Sequence, residues 1–201
     1  FFCSSVIKQT FDRLLSGNPE FKENEFIEKV KKAFIDIQKA REKQDVSGVR
    51  KFLSDGVYRH FNTQFTMMKL LRQTFTIDDL EVKNVYIDRV DADGLYDIIQ
   101  VAIHACVTCR FVSALVPAPD SGVSEDLAEY WSFMKKRNSP VQDIYYSYNC
   151  PGCGSPLPEN TGEICRCPAC ETLINSGEYD WVLAEITRAD DYISANKKLR
   201  K

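Results

Sequence analysis

Two closely spaced cysteine pairs constrain the fold of this chain more than any other feature. Cys150 and Cys153 form a Cys-Pro-Gly-Cys turn, and Cys167 and Cys170 form a Cys-Pro-Ala-Cys turn, which gives the pattern C-x2-C-x13-C-x2-C. This spacing is typical of a zinc site with four thiolate ligands. A pair of disulfides or scattered free thiols is the alternative, but the repeated turn favours the metal site. Four protein ligands leave no open position for water, so we expect one structural zinc ion per chain.

The remaining cysteines do not extend this site. Cys165 stands two residues before Cys167, and its C-x4-C spacing to Cys170 lacks the tight turn, so we interpret it as a nearby free thiol. Cys106 and Cys109 also read C-x-x-C, but they fall in a segment that alternates between apolar and polar residues, as β-strands do. Residues three apart on a strand point to opposite faces, so this pair cannot chelate one ion.

Composition and charge exclude several classes of protein. The chain has 201 residues, 44% of them hydrophobic, which is enough for a packed core and argues against disorder. No run of about 18 apolar residues exists that could span a bilayer. The net charge of −3 gives no overall cationic field for binding nucleic acid.

The cysteine-rich segment is the more acidic part of the chain. Residues 139–178 carry only one basic side chain, Arg166, against five acidic ones: Asp143, Glu159, Glu163, Glu171 and Glu178. A zinc ion with four thiolates would add further negative charge, and nucleic-acid phosphates would be repelled. A nucleic-acid-binding zinc ribbon is therefore an alternative that the charge disfavours, and a protein partner is favoured.

The apolar periodicity predicts helices first and strands afterwards. We expect a short amphipathic helix over residues 1–18, a long helix carrying Phe26 to Ile37, a short helix capped by Asp45, and a third helix capped by Ser54 or Asp55. The predicted strands are Val82–Val90, Leu95–Val116, Leu127–Lys136 and Trp181–Ile186, with a turn at Asp91–Gly94. This order is typical of an α+β domain with helices on one face of an antiparallel sheet.

Several of these segments resemble the Tim44-like domain family. They are Phe34–Ala40, Asp45–Asp55 and Val57–Tyr58 in the helical part, and Glu129–Phe133 and Trp181–Ile186 in the strands. The resemblance covers about residues 21–138 and 178–190. It implies a cone-shaped α+β fold, like that of nuclear transport factor two and the cystatin-like proteins. Some bacterial members carry a zinc ribbon, so the resemblance favours a bacterial relative.

The resemblance and the cysteines together suggest a division of the chain. We expect an N-terminal amphipathic helix or linker over residues 1–20 and a Tim44-like α+β domain over 21–138 and 178–201. A zinc-ribbon insertion would occupy residues 139–177, with its two ends on adjacent strands.

The resemblance implies a binding module rather than an enzyme. Family members dock on membrane lipid and on protein partners, as in the mitochondrial import translocase, so we expect an adaptor in a translocation- or assembly-like role with no small-molecule substrate to turn over. A cavity under the cone would be walled by Tyr58, Phe61, Phe65 and Met68, unless these residues only fill the core. A cone-fold enzyme is the alternative, but His60 and His104 have no local carboxylate partner in the sequence.

The N-terminal sequence and the thiols suggest a location. The start at Phe1-Phe2 and the amphipathic pattern after it are interpreted as the end of an upstream membrane anchor. Zinc-bound thiolates need a reducing compartment, so we expect the cytoplasmic side of a bacterial inner membrane, with the cytoplasm as the alternative. The basic clusters Lys135–Arg137 and Lys197–Lys201 are interpreted as solvated ends, with contact to anionic lipid as the alternative.

Overall fold

The computed structural model describes residues 3–114, 122–158 and 164–191. Its helices are α1 (Cys3–Gly17), α2 (Glu23–Lys43), a 3₁₀-helix (Ser47–Phe52) and α3 (Asp55–Leu70). Its strands are β1 (Gln73–Asp93), β2 (Tyr96–Ser113), β3 (Val123–Lys136) and β4 (Val182–Arg188). Phe1–Phe2, Leu115–Val116, Glu159, Glu163 and the Lys197–Lys201 cluster lie outside the described residues.

The helix boundaries follow from local chemistry. Ser54 caps α3, since its hydroxyl accepts a hydrogen bond from the Val57 N–H at 3.3 Å, as the sequence predicts. Asp45 accepts a hydrogen bond from the Ser47 N–H at 2.9 Å and so holds the entry to the 3₁₀-helix. That contact lowers the pKa of Asp45. In α2 the first turn is acidic and the last turn is basic, which complements the helix dipole.

The four strands form an antiparallel sheet in the order β1-β2-β3-β4. Helices followed by an antiparallel meander confirm the predicted α+β class. The predicted first strand, Val82–Val90, is too short, because β1 begins at Gln73 and continues to Asp93. Three register shifts in the β1–β2 ladder, such as the one between Ile77 and Asp79, break the alternation of apolar residues and hide the strand in the sequence.

The first hairpin turn is also shorter than the sequence predicts. Asp93 pairs with Tyr96, so only Gly94 and Leu95 remain in the turn, where Gly94 has a φ of +57°. Leu71 follows the last residue of α3, Leu70, and is 39% exposed.

The core lies between α2 and the sheet. Phe34 packs on Trp131 with 5.4 Å between ring centroids, and Phe26 contacts Phe133 and Trp181 at 5.5 Å each. These rings are almost entirely buried, and fully burying an aromatic side chain of this size contributes about 1.5–3 kcal/mol. The aromatic contacts therefore fix α2 against β3 and against the residue just before β4.

The cysteine-rich segment leaves the sheet after β3 and returns before β4. The two ends are adjacent, since the Lys136 N–H donates to the Gly177 carbonyl at 2.8 Å. The segment also shares the main core: Tyr145 stacks on Phe52 at 4.4 Å, and its hydroxyl donates to the Trp181 carbonyl at 2.6 Å. Burial raises the pKa of Tyr145 well above its ordinary value. The division at 139–177 stays a prediction, and these contacts tie both of its parts to one core.

The Tyr145 contact predicts a measurable contribution to stability. Replacing Tyr145 with Ala should lower the free energy of unfolding by about 3–5 kcal/mol, because the ring is fully buried against Phe52. Urea denaturation followed by circular dichroism measures the change. Tyr148→Ala is the control: that ring is 77% exposed, so its replacement should change stability by less than about 0.5 kcal/mol. Equal losses in the two variants would contradict the packing described here.

Candidate functional site

The two cysteine turns adopt the same backbone conformation, and we call residues 150–154 and 167–171 the knuckles. In each, the carbonyl of the first cysteine accepts a hydrogen bond from the residue after the second, Gly154 at 2.8 Å and Glu171 at 2.9 Å. Those two residues have φ values of +77° and +61°. In each knuckle the N–H of the first cysteine also bonds a carbonyl beyond the turn, that of Ser155 or Thr172. The repeated sequence thus encodes a repeated structure.

The knuckles face one another and bring four sulfur atoms together in a cysteine cluster: Cys150, Cys153, Cys167 and Cys170. All four sulfurs lie within 4.8 Å of one another. Across the two knuckles, Cys150 Sγ is 3.7 Å from Cys170 Sγ, and Cys153 Sγ is 3.8 Å from Cys167 Sγ. These distances exclude disulfides, whose sulfurs lie about 2.05 Å apart. Four sulfurs placed about 2.3 Å from a tetrahedral ion would be separated by about 3.8 Å, so the cluster could hold a metal ion.

The surroundings of the cluster favour thiolates on its exposed side. Hydrogen bonds from the side chain and backbone of Thr172 lower the pKa of Cys170 to about 6, and those of Ser155 lower the pKa of Cys153. Burial raises the pKa of Cys150 to about 11, although the Gly152 N–H lies 3.3 Å from its sulfur. A cation at the centre would offset that burial, because it stabilises the charged form of all four sulfurs.

Cys165 lies beside the cluster but is not part of it. Its side chain is fully buried, and its carbonyl accepts a hydrogen bond from the Ile174 N–H at 2.9 Å. It belongs to the apolar core that includes Ile144 and Ile174. The structure therefore gives this thiol a packing role.

The second C-x-x-C pair lies on the sheet, away from the cluster. Cys106 Sγ is 2.8 Å from Ser124 Oγ on β3, whereas Cys109 is half-buried against the core. Burial raises the pKa of Cys109. His104 stacks on Tyr86 of β1 at 6.0 Å between ring centroids. None of these three residues joins a group of possible metal ligands in the part of the chain that the structure describes.

The four predicted cavity residues are buried on α3 and divide between different surroundings. Phe65 and Met68 line a cavity of about 380 Å³ at the end of α3, together with Met67, Phe75 and Phe111. Phe61 lines a separate cavity of about 440 Å³ between α2, α3 and the β3–β4 pair. Tyr58 lies under the Arg50 guanidinium, 4.3 Å from the ring centroid.

An exposed apolar surface lies next to the 380 Å³ cavity. We call it the apolar end; it consists of Met67, Leu70, Leu71, Phe111 and Val112, with exposures between 39% and 70%. The β1–β2 ladder joins its two halves, because Phe75 pairs with Phe111 and Thr74 pairs with Val112 just after α3. Lys69 and Arg72 are next to Leu70 and Leu71 in the chain. Sequence analysis missed it because its residues come from two separate stretches of the chain.

Comparison with known proteins identifies the family of this chain. The model of the Tim44-like domain matches residues 7–146. The chain belongs to this family. A search of curated proteins finds no match. Among solved structures, the intermembrane-space region of the chloroplast protein ARC6 is similar over 81% of this chain and 95% of that chain, with 8% identity and a TM-score of 0.43, so no function is transferred from it.

The family match confirms the resemblance found in the sequence, and it includes the four predicted cavity residues. It ends at residue 146, before the cysteine cluster. The cysteine cluster therefore lies outside the part of the chain that the family model matches. None of the described helices is both long enough and apolar enough to cross a membrane.

The knuckle geometry predicts an asymmetric response to substitution. Gly154→Ala should weaken the affinity for added Zn²⁺ by about five- to tenfold, because an alanine at a φ of +77° costs about 1 kcal/mol or more. The new methyl group would contact nothing within 4 Å, so the effect would come from the backbone alone. The matched change Glu171→Gly should not weaken binding, since glycine relieves the equivalent strain. Competition with a chromogenic chelator measures both affinities, and equal losses would contradict this account.

Proposed function

We propose that this chain is a non-enzymatic adaptor of the Tim44-like family that docks on an anionic membrane through its apolar end and presents a zinc ribbon to a protein partner. The apolar end carries this proposal. Five large apolar side chains are exposed near the ends of α3 and β2, and clusters of exposed apolar residues mark contact sites.

The charges around the apolar end support a lipid surface. Within the described residues, neither Lys69 nor Arg72 forms an ion pair with an acidic side chain. Each free cation near an anionic leaflet is worth about 1 kcal/mol. The adjoining cavity of about 380 Å³, lined by Phe65, Met68 and Phe75, offers room for an acyl chain. Apolar contact and charge therefore act in the same direction.

Zinc is the metal that the cysteine cluster fits best. Soft thiolate ligands in a tetrahedron suit Zn²⁺, whereas carboxylates and carbonyls suit Mg²⁺ and Ca²⁺. Four thiolates fill the coordination sphere, so the proposed zinc is structural and holds the two knuckles together. Such an exposed site persists in a reducing compartment, which supports the cytoplasmic side of the membrane.

A catalytic role finds no support in the described residues. His60 is exposed beside the 440 Å³ cavity, and its ring contacts Phe61 at 6.3 Å between centroids. In the described part of the chain its imidazole has no hydrogen-bonded carboxylate that would orient it as a general base. Glu171 is exposed on the second knuckle, and the excess of acidic residues in the cysteine-rich segment suits a basic protein partner.

The zinc proposal predicts one zinc ion per chain. Native mass spectrometry and elemental analysis should find this stoichiometry, and Cys170→Ser should lose the metal because it removes one ligand. Cys106→Ser is the matched control and should retain it, and so should Cys165→Ala. Chelation should unfold the knuckles and leave the helical circular dichroism nearly unchanged, since Tyr145 and Ile144 stay packed on the core. Substantially less than one zinc per chain would contradict the proposal.

The docking proposal predicts binding to vesicles that contain phosphatidylglycerol. The wild-type chain should co-sediment with them and bind phosphatidylcholine vesicles less tightly. The double variant Met67→Asp, Leu70→Asp should bind at least about tenfold more weakly, because it removes two side chains worth about 1.5–3 kcal/mol each when buried.

Leu95→Asp provides the control for this experiment. Leu95 is 69% exposed in the β1–β2 turn, so this variant adds a negative charge to another exposed apolar position. It should bind vesicles as the wild type does. Failure of the wild type to bind, or equal losses in all variants, would overturn the docking proposal without affecting the zinc proposal.

A further inference from the structure

The 440 Å³ cavity has a polar interior that neither the fold nor the proposed docking explains. Four of its polar side chains come from three elements: Gln38 and Arg41 on α2, Glu129 on β3 and Arg188 on β4. The same four residues line a smaller cavity of about 210 Å³ and so stand where the two spaces meet. We call these four residues the polar cluster.

Gln38 shows that the cluster is incomplete. Only 2% of this residue is exposed, and its Oε1 accepts a hydrogen bond from the Arg41 guanidinium at 3.1 Å. Its Nε2 is buried and has no hydrogen-bond partner. An unpaired buried amide costs about 1–3 kcal/mol, which a ligand oxygen in the cavity would recover.

Glu129 and Arg188 are paired in register yet do not bond to one another. They stand directly opposite on β3 and β4, where oppositely charged side chains commonly form an ion pair. Glu129 is 7% exposed and instead accepts a hydrogen bond from the Trp131 indole at 2.8 Å. In the described structure the Arg188 side chain has no hydrogen bond or ion pair. One carboxylate oxygen and one guanidinium are therefore available to a ligand.

The available groups define the chemistry of that ligand. Arg188, Arg41 and the Gln38 amide are donors that suit a carboxylate, since guanidinium groups bind carboxylates through two parallel hydrogen bonds. The free oxygen of Glu129 suits a donor beside that carboxylate. Around them, Ile37, Val57 and Phe61 supply an apolar wall. A cavity of about 440 Å³ falls in the range of small-molecule sites.

We propose that the polar cluster binds a free α-amino acid with an apolar side chain. The carboxylate lies against Arg41, Arg188 and the Gln38 amide, the ammonium group lies against Glu129, and the side chain contacts the apolar wall. Two arginines are balanced by Glu129 and by Glu185 at the cavity, so a zwitterion leaves the charge of the site unchanged. A phosphate dianion would place two further negative charges beside the buried Glu129.

Calorimetric titration of the zinc-loaded full chain with L-leucine tests this inference. We expect saturable binding at one site per chain. L-Leucinamide lacks the carboxylate and 4-methylpentanoate lacks the ammonium group, so each should bind at least about tenfold more weakly, which corresponds to about 1.4 kcal/mol.

Three variants connect the binding to the polar cluster. Arg188→Gln should weaken leucine binding at least tenfold without a loss of stability, because its side chain makes no contact that holds the fold. Gln38→Leu should also weaken binding but raise the melting temperature, since it removes an unpaired buried amide. If Arg188 or Gln38 had only a structural role, its replacement would lower leucine affinity and stability together. Lys39→Gln, an exposed cation on the same helix, is the control and should leave binding unchanged.

Three results would overturn the inference. The first is the absence of saturable leucine binding at about ten millimolar, a concentration well above the dissociation constants of most specific sites. The second is equal affinity for leucine and either analogue, which would show that the site does not recognise the carboxylate and the ammonium group together. The third is an equal loss in Lys39→Gln and Arg188→Gln, which would place binding outside the cavity.

Discussion

The packing of α2 against β3 and β4 is the contact on which the rest of the structure depends. Phe34 and Trp131 are fully buried against one another, and Phe26 fills the space between Phe133 and Trp181. Further along α2, Gln38 and Arg41 replace the aromatic residues, and the cavities begin there. Large side chains thus close one part of the interface, and polar ones leave the next part open, where the proposed ligand site lies.

The same core holds the cysteine-rich segment in place. Its apolar residues, Ile144, Tyr145 and Ile174, are buried with those of the α+β domain, and Asn175 donates to the Leu53 carbonyl at 2.7 Å. Asp180 forms an ion pair with Lys29 of α2, and burial raises the pKa of its carboxyl group. The knuckles lie outside these buried contacts and contribute few side chains to the core. A metal ion is therefore the available source of their stability.

The proposed sites lie on different parts of one small fold. The apolar end is exposed, and its neighbouring cavity is lined mainly by apolar side chains, whereas Gln38 and Glu129 of the polar cluster are buried. Arg41 lines the cavities of both, so the two spaces adjoin α2 at the same position. A membrane contact at the apolar end and a small ligand at the polar cluster would therefore be bound close to one another, while the proposed zinc ribbon would remain available to a protein.

The sequence by itself determined the features that depend on neighbouring residues. The spacing of Cys150, Cys153, Cys167 and Cys170 predicts the cluster because each turn is local, and the Ser54 cap and the helices-then-strands order follow in the same way. The first half of β1 was missed, because its bulges remove the period of two. Only the tertiary structure decided the apolar end and the polar cluster. Gln38, Glu129 and Arg188 are far apart in the chain and come together only when α2 packs on the sheet. The unpaired Nε2 atom of Gln38 is a property of that packed arrangement.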